Sequence, residues 1–389
     1  LGMLLAGNFV PAPPFGAFIS QLDQSEEGQE LLRTLLASSL DIFDEWFESP
    51  EVKIALCRYV SEPMVAPQEK GTGLYAYMMI PLTHVQAPGI PVGGSGALTE
   101  ALERCLKDLG VTIRTSAAVK RIIVKGGEAA GIVLESGEEI TAKKAVVADL
   151  HVKQVFLDMI SPEDLPSGFV TKVKRLRPST YQALHQVFAL NEAPKFKAGG
   201  DVDKTCFVEF AASTIDGFRR HFDEFSYGNP QTDGLLSVCC TLFDSTRAPA
   251  GKHTLYLYHY EPANLREGGI EAWDGIKQRV ADDILEYLRA HTTNMGDENI
   301  LGRRVFSPLD FKRWNSAWVE GDFTELGPYM NQLLSNRPMP GWGQYRMPIK
   351  KLYMCGPSTH PGLGVTGGGR AAVQVVMEDL GIDFEKVIS

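Results

Sequence analysis

The chain has 389 residues, of which 44% are hydrophobic, and it carries a formal net charge of -10 at pH 7. This length and composition predict a soluble globular protein with a large core, folded as one discontinuous domain or as two domains. The acidic balance argues against binding to nucleic acid, because no segment concentrates enough lysine and arginine to neutralise a row of phosphates.

Cysteine and histidine side chains are scattered along the chain. The six cysteines form no C-x-x-C pair and are too sparse for a disulfide-stapled secreted fold, which predicts reduced thiols and an intracellular protein. The eight histidines show no spacing typical of metal ligands, so the sequence predicts no metal site.

The first fifty residues are predicted to be largely helical. Residues 1–19 are apolar, but their prolines and glycines and the lack of a basic leader argue against a spanning helix or a signal peptide. Residues 23–48 keep leucines and aromatic residues at helical spacing, which predicts one packed helix with an acidic outer face. Ser49 and Pro50 end that segment, and a new helix starts at Glu51, because proline is tolerated in a first helical turn.

A glycine cluster at 93–96 opens a predicted helix that runs to about Asp108, and residues 111–115 are predicted to form a strand. This order imitates a dinucleotide-binding unit. However, Thr99 stands where the third glycine of that motif belongs, and Arg114 and Thr115 replace the acid that binds a ribose. We therefore reject this cluster as the fingerprint of an NAD(P)-dependent dehydrogenase.

A small antiparallel meander is predicted next. Its segments alternate or run apolar between glycine turns, at 118–124, 129–135, 139–141 and 144–148. The last of them has the continuous apolar character of a buried strand, so the meander should lie on a nucleotide-binding sheet.

The pattern changes between about residues 151 and 342. Strands are predicted at 181–190, 235–242 and 253–260, and a strong amphipathic helix at 276–290. We interpret this region as a substrate domain.

The most informative segment is 351–380. It consists of a buried strand, a turn with five glycines in the eight residues 362–369, and an alanine- and valine-rich helix that Gly381 ends. Glycines let the backbone approach a ligand closely, and the start of the helix favours negative charge. The segment therefore predicts a site for a nucleotide or a flavin, the alternative being an ordinary strand-to-helix connection.

With these segments in order, the chain resembles the phytoene-desaturase-like flavoproteins of the amine-oxidase fold, particularly the branch of pyridine nucleotide-disulphide oxidoreductase domain-containing proteins. The resemblance covers nearly the whole chain. The segments that carry it are 44–49, 93–98, 119–122 with the meander, and 337–370. The last is the most specific, since it joins Arg-Pro-x-Pro-Gly, Tyr-Arg-x-Pro and Cys-Gly-x-x-x-His-Pro-Gly.

The resemblance implies a non-covalent FAD. By position, the backbone of Val119 would face the adenine, and Gly356 would approach the ribityl and pyrophosphate portion. The hydroxyl residues Ser358 and Thr359 flank Gly356 as further cofactor-binding candidates. The flavin ring would lie by three residues at the start of the last helix, Gly364, Val365 and Thr366. His360 is the candidate catalytic residue, as a polar group at the flavin, with a purely structural role as the alternative.

The resemblance also implies a domain organisation. It predicts the α/β fold class, with an incomplete Rossmann-like FAD-binding domain and an α+β substrate domain. Residues 1–88 and 151–336 would form the substrate domain, and residues 89–150 and 337–389 the FAD-binding domain. Members of the family begin with a strand, a G-x-G-x-x-G turn and a helix that bind the FAD pyrophosphate, and the given sequence does not open with such a unit. We expect an N-terminal segment or another chain to supply it, because soluble proteins normally cover open sheet edges.

Two functions from different classes follow. The first is an FAD-dependent oxidoreductase that removes hydride from a hydrophobic substrate, either without its own N-terminal unit or as one subunit of a split enzyme. The second is a flavin-free scaffold subunit that keeps the fold. Family likeness suggests polyenes, other isoprenoids or long apolar amines as substrates, and a mitochondrial location among the alternatives. Residues 330–334 with Met339 and Trp342 could form a membrane-surface patch or belong to the core.

Overall fold

The computed structural model describes residues 7–85, 89–362 and 367–388. The N-terminal part is helical, and one core cluster joins helices of this part to one face of a sheet formed later in the chain. Its helices are α1 (Phe15–Leu22), α2 (Glu26–Leu36), α3 (Ser39–Trp46), α4 (Pro50–Val60) and α5 (Gly73–Val85). Helix α4 begins at Pro50, one residue before the predicted start at Glu51, since proline is tolerated in a first helical turn.

The single helix predicted over 23–48 is wrong, because the structure divides it into α2 and α3. Ala37 is extended, with φ -72° and ψ 170°, and its carbonyl accepts hydrogen bonds from the amides of Gly71 and Gly73. Ser38 then caps α3 in a reciprocal pair with Asp41. The acidic pattern is continuous in the sequence, although one helix ends at Leu36 and the next begins at Ser39.

The meander forms as predicted, and the strand predicted after it forms but is only partly buried. Helix α6 (Ser95–Asp108) precedes the antiparallel strands β1 (Val119–Lys125), β2 (Glu128–Leu134) and β3 (Glu139–Thr141). Strand β4 (Val146–Ala148) pairs in parallel with β10 (Leu352–Met354), with Ala148 opposite Met354. Ile122 of the meander shares one core cluster with both of these residues, which confirms that the meander packs on the parallel pair.

The strand predicted at 111–115 is wrong. Residues 111–114 have no regular structure, and Val111 and Ile113 are exposed. Arg114 instead makes a bidentate ion pair with Glu138. An alternating sequence becomes a strand only beside another strand, and no neighbouring strand pairs with it in the part of the chain that the structure describes.

The larger sheet is antiparallel, with the order β6-β7-β8-β5-β9. Its strands are β5 (Gln182–Leu190), β6 (Phe207–Glu209), β7 (Leu236–Val238), β8 (His253–Glu261) and β9 (Ile300–Phe306). The prediction of a strand at 235–242 is too long, since Cys240–Leu242 form a helical turn. The strands predicted at 181–190 and 253–260 are confirmed.

The large sheet has two covered faces. Leu255 and Leu257 pack with Trp273 of the long helix α9 (Trp273–His291), which confirms the amphipathic helix predicted at 276–290. The alternate residues Tyr258 and Tyr260 pack on the other face with the N-terminal helices. The period-two pattern of β8 thus places the sheet between two layers of helices.

The remaining described helices lie between residues 169 and 388. They are α7 (Phe169–Lys174), α8 (Ile215–Ser226), α10 (Pro308–Trp314), α11 (Gly368–Asp379) and α12 (Phe384–Ile388). Among the described helices, none is long and apolar enough to cross a membrane. The proposed segment boundaries near residues 88, 150 and 336 stay predictions.

Candidate functional site

The predicted strand and helix are present at the C-terminal end, together with the parts of the connection between them that the structure describes, residues 355–362 and Gly367. Strand β10 is fully buried, and the turn that follows it leads to α11, whose Ala371, Ala372 and Val375 are buried beside Tyr353. Gly381 has a φ of +69° and ends the segment as predicted. The predicted flavin-ring residues Gly364, Val365 and Thr366 lie outside the described residues.

Gly356 stands where the carboxyl ends of β10 and β4 meet. Its φ is +79°, and a Cβ built on it would lie 1.7 Å from Oδ1 of Asp149, the residue that follows β4. Only glycine gives this backbone the freedom to turn here without moving the carboxylate. A close backbone approach at the carboxyl ends of parallel strands, followed by a helix start, fits the ribityl and phosphate portion of an FAD.

Ser358 and Thr359 lie on the same turn, but their hydroxyl groups point into the protein. Ser358 is fully buried, accepts a hydrogen bond from the amide of Val152 at 2.9 Å and donates one to Oε2 of Glu325 at 2.5 Å. The Thr359 hydroxyl donates to the carbonyl of Gly356 at 3.0 Å. Their side chains therefore hold the turn in shape, and their role as cofactor-binding residues stays a prediction.

Glu325 is a buried acid that no motif in the sequence singles out. Burial, reinforced by the charge of Asp149, raises its pKa to about 7, although the hydrogen bond from Ser358 works in the opposite direction. Its carbonyl accepts a hydrogen bond from Nε2 of His151 at 2.8 Å. Burial lowers the pKa of His151 to about 4, so this imidazole is neutral at pH 7. The turn thus rests on a buried polar layer that contains a neutral imidazole and an acid of raised pKa.

Glu325→Gln should flatten the pH dependence of stability. Because the pKa of Glu325 is raised from 4.5 to about 7, its contribution is fully present below pH 4.5 and is lost as the pH rises through about 7. The glutamine variant should therefore lose less free energy of unfolding than the wild type between about pH 5 and pH 8, by up to about 3 kcal/mol.

Denaturant unfolding of both proteins over this pH series measures the difference. Glu261 has its pKa raised to about 7 by burial as well, and it is present in both proteins, so its contribution cancels in the comparison. Parallel stability curves for the two proteins would contradict the assignment to Glu325.

His360 lies at the wall of an apolar cavity. The residue is 5% exposed, and its Nε2 donates to the carbonyl of Gly7 at 2.9 Å, while burial lowers its pKa. The cavity has a volume of about 410 Å³. Its apolar lining residues come from the N-terminal segment, α1, α5, the segment before Arg337 and the turn itself: Val10, Ala12, Pro13, Phe15, Phe18, Leu74, Met78, Leu333, Leu334 and Pro361.

The cavity carries no ionised lining group among the described residues. Its side chains with polar groups belong to Asn8, Gln21, Tyr75 and His360, and the Tyr75 hydroxyl already donates to the carbonyl of Pro328 at 3.1 Å. A cavity of this size and chemistry suits a small apolar molecule, which the few polar groups would orient. Leu333 is buried in this lining and Met339 is buried in the core cluster beside the meander, which favours the core alternative for the patch of residues 330–334 with Met339 and Trp342.

The structure thus brings together four of the predicted site residues that it describes, Gly356, Ser358, Thr359 and His360, on one turn. Val119 begins β1 in the meander sheet, where the sequence also places it, and its contact with the adenine stays a prediction. Among the described residues, no group of three or more histidine, cysteine, aspartate or glutamate side chains could hold a metal ion.

Comparisons with known proteins agree with this architecture. The chain is 29% identical over 362 residues to pyridine nucleotide-disulfide oxidoreductase domain-containing protein 2 of Rattus norvegicus, an alignment that covers 89% of the chain and 61% of the relative. It is 25% identical over 384 residues to a subunit of limonene dehydrogenase from Castellaniella defragrans, covering 93% of the chain and 68% of that relative. The chain therefore spans about three fifths of the length of the rat relative.

Solved structures and a family model support the same fold. The crystal structure of an oxidoreductase from Methanosarcina mazei matches with a TM-score of 0.57 at 17% identity, covering 94% of this chain and 75% of that one. Cyclohexylamine oxidase from Brevibacterium oxydans matches with a TM-score of 0.50 at 13% identity, covering 94% of this chain and 74% of that one, which identifies the shared fold as the amine-oxidase type. The family model described as flavin containing amine oxidoreductase matches residues 16–377. The chain therefore belongs to the flavin containing amine oxidoreductase family.

Proposed function

We propose that the protein is an FAD-dependent oxidoreductase that removes hydride from a neutral, apolar substrate. The observation that carries the proposal is the apolar cavity of about 410 Å³ whose wall includes His360, on the same turn as Gly356. Membership of the family implies the flavin, and the glycine backbone and helix start fit it. The relatives include a phytoene desaturase and a limonene dehydrogenase subunit, whose names describe hydrocarbon chemistry.

The bound flavin would supply the chemistry by accepting hydride, so the protein needs neither a nucleophile nor a metal. What these residues contribute is orientation and exclusion of water. The apolar lining removes water from the substrate, and the neutral ring of His360 offers a polar edge without adding charge. Gly356 and the backbone of the turn would hold the cofactor.

The lack of charged side chains in the described lining distinguishes two substrate classes that the sequence leaves open, amines and neutral isoprenoids. A protonated amine would have to enter an apolar cavity whose described lining contains no carboxylate, and burying an unpaired ammonium is costly by several kcal/mol. A neutral hydrocarbon meets no such penalty. The cavity therefore favours isoprenoids over amines.

A pair of ten-carbon probes tests this preference. The flavin-loaded protein is titrated with limonene and with geranylamine at neutral pH, under anaerobic conditions. Perturbation of the visible flavin bands reports binding, and their bleaching reports hydride transfer. We expect limonene to bind at least about tenfold more tightly, a difference of about 1.4 kcal/mol. Tighter binding of the amine, or bleaching by the amine alone, would overturn the neutral-substrate proposal.

The segments predicted to bind FAD have surfaces suited to a further βαβ unit that carries the phosphate-binding glycines. Strand β4 pairs with β10 alone among the described strands, and Val147 on it is 48% exposed. Helix α6 presents a stripe of leucines to solvent, with Leu98 43% and Leu102 52% exposed. We propose that this unit, from an N-terminal segment or from another chain, extends the parallel sheet at β4 and covers α6.

The double variant Leu98→Asp, Leu102→Asp should weaken docking of the βαβ unit without disturbing the fold of this chain. Both side chains are exposed, so the double variant should change the stability of the isolated chain by no more than about 0.5 kcal/mol. In the protein purified from its native source, the same changes should weaken docking of the βαβ unit and release most of the flavin.

The matched control is Leu36→Asp, because Leu36 is 60% exposed on α2, outside the FAD-binding segments. Flavin retention is measured by absorption after gel filtration. Equal retention in the double variant and the control would contradict docking at α6.

A further inference from the structure

A buried arginine lies beneath the turn that carries the candidate site. Arg337 is 0% exposed, and its guanidinium donates to the carbonyl oxygens of Pro357 at 2.7 Å, Thr324 at 2.8 Å, Leu326 at 3.0 Å and Gln332 at 3.2 Å. It therefore ties the turn to the segment 324–332 with hydrogen bonds to backbone groups only.

The guanidinium of Arg337 also lies close to the backbone of the turn at Gly362. Gly362 has a φ of +79°, and a Cβ built on it would lie 2.6 Å from Nε of Arg337. The backbone of the turn thus contacts the arginine at both of its ends, near Pro357 and at Gly362. Only glycine at 362 allows this contact, because a side chain would push the turn away from the guanidinium.

The charge of Arg337 has no carboxylate within ion-pair distance among the described residues. Buried arginines are normally paired, and Arg58, which is also deeply buried, has Glu62 at 2.9 Å and Glu209 at 3.4 Å. The acids that face Arg337 are Asp322 and Glu325. Asp322 is occupied by the amides of Ser179 and Thr324, and the Ser358 hydroxyl donates to Glu325.

We propose that Arg337 is the positioning residue of the 356–362 turn, and that its incompletely neutralised positive charge favours the electron-rich, reduced form of the flavin held by that turn. This inference rests on the proposed function, since it concerns the same site. Burial lowers the pKa of Arg337 to about 10, so the guanidinium remains protonated at neutral pH. Its contacts are interior, so it acts through the turn and through its charge.

The test compares Arg337→Met, which removes the charge, with Arg337→Lys, which keeps the charge but loses the fork of hydrogen bonds. Arg58→Met is the matched control, because it removes a buried arginine whose contacts lie outside this turn. The first measurement is hydrogen exchange at the amides of Cys355 and Thr359 in the flavin-free protein. These amides donate to Ala148 and Gly356. Exchange should be at least about tenfold faster in both Arg337 variants and unchanged in Arg58→Met.

The second measurement is the ratio of the affinities for reduced and oxidised FAD, obtained from the midpoint potential. This ratio should fall about tenfold in Arg337→Met, which corresponds to about 30 mV for a two-electron couple. It should stay at the wild-type value in Arg337→Lys and in Arg58→Met. Wild-type exchange in both Arg337 variants would overturn the positioning role, and an unchanged ratio in Arg337→Met would overturn the role of the charge.

The two measurements distinguish failure of this proposal from failure of the proposed function on which it rests. If the wild-type protein takes up no flavin, the proposed function fails and the role of the charge fails with it, while the exchange measurement still decides whether Arg337 holds the turn. If Arg337→Met does not fold, Arg337→Lys carries the exchange test. In that variant a wild-type potential supports the charge, and a potential as low as that of the free cofactor overturns it.

Discussion

Gly362→Ala should destabilise the protein by about 3 kcal/mol and release most of its flavin. A side chain at this position carries the strain of a positive φ, about 1 kcal/mol, and it overpacks a buried site, which costs about 2 kcal/mol. The added Cβ would lie 2.6 Å from Nε and 2.9 Å from Cζ of Arg337, and this guanidinium is buried and bonded on several sides. The turn must therefore move outward.

Gly137→Ala is the matched control for this prediction. Gly137 has a φ of +89°, but a Cβ built there meets nothing within 4 Å. This variant should show the backbone strain alone, about 1 kcal/mol, with normal flavin content. Denaturant unfolding and flavin absorption measure both proteins. Equal losses in the two variants would show that the contact between Gly362 and Arg337 contributes nothing.

Met78→Trp should block the cavity and weaken binding of limonene at least about tenfold without releasing the flavin. Met78 lies on α5 and lines the cavity, so the indole would occupy space that the substrate needs. The flavin would keep its contacts with the turn, because the substitution lies on a different element.

The adjacent Met79 provides the control for added bulk on the same helix. It is partly buried against the large core cluster and is absent from the cavity lining. Met79→Trp should therefore leave limonene affinity near the wild-type value, even if packing lowers stability. Titrations followed by the visible flavin bands give both affinities. Unchanged affinity in Met78→Trp would place the substrate elsewhere.

Local periodicity predicted those parts of the fold whose neighbours lie nearby or whose faces are fully buried. The meander, α9 and α11 are examples, since alternation or helical spacing in each matches the packing seen. The break between α2 and α3 was missed, although Ser38 and Asp41 form a capping box that the sequence contains. At 111–115, by contrast, a strand depends on a partner, and no local pattern reports whether that partner is present.

The same distinction applies to the site. The turn from Gly356 to His360 is one short motif, so its residues could be predicted together. Glu325 could not, because its role arises from Ser358, a residue 33 positions away. The cavity likewise joins the N-terminal segment to Leu333 and Pro361, and such contacts leave no mark in the local pattern. Arg337 belonged to a recognised motif, but its partners appear only in the structure.

Flavin content tests the central claim most directly. The protein is purified from its native source with every accompanying chain identified, and its visible absorption spectrum and intact mass are recorded. The account predicts flavin bands at about one FAD per chain, with the βαβ unit present in the same chain or in a partner. A colourless protein that takes up no added FAD, alone or with its partners, would contradict the oxidoreductase and favour a flavin-free scaffold subunit.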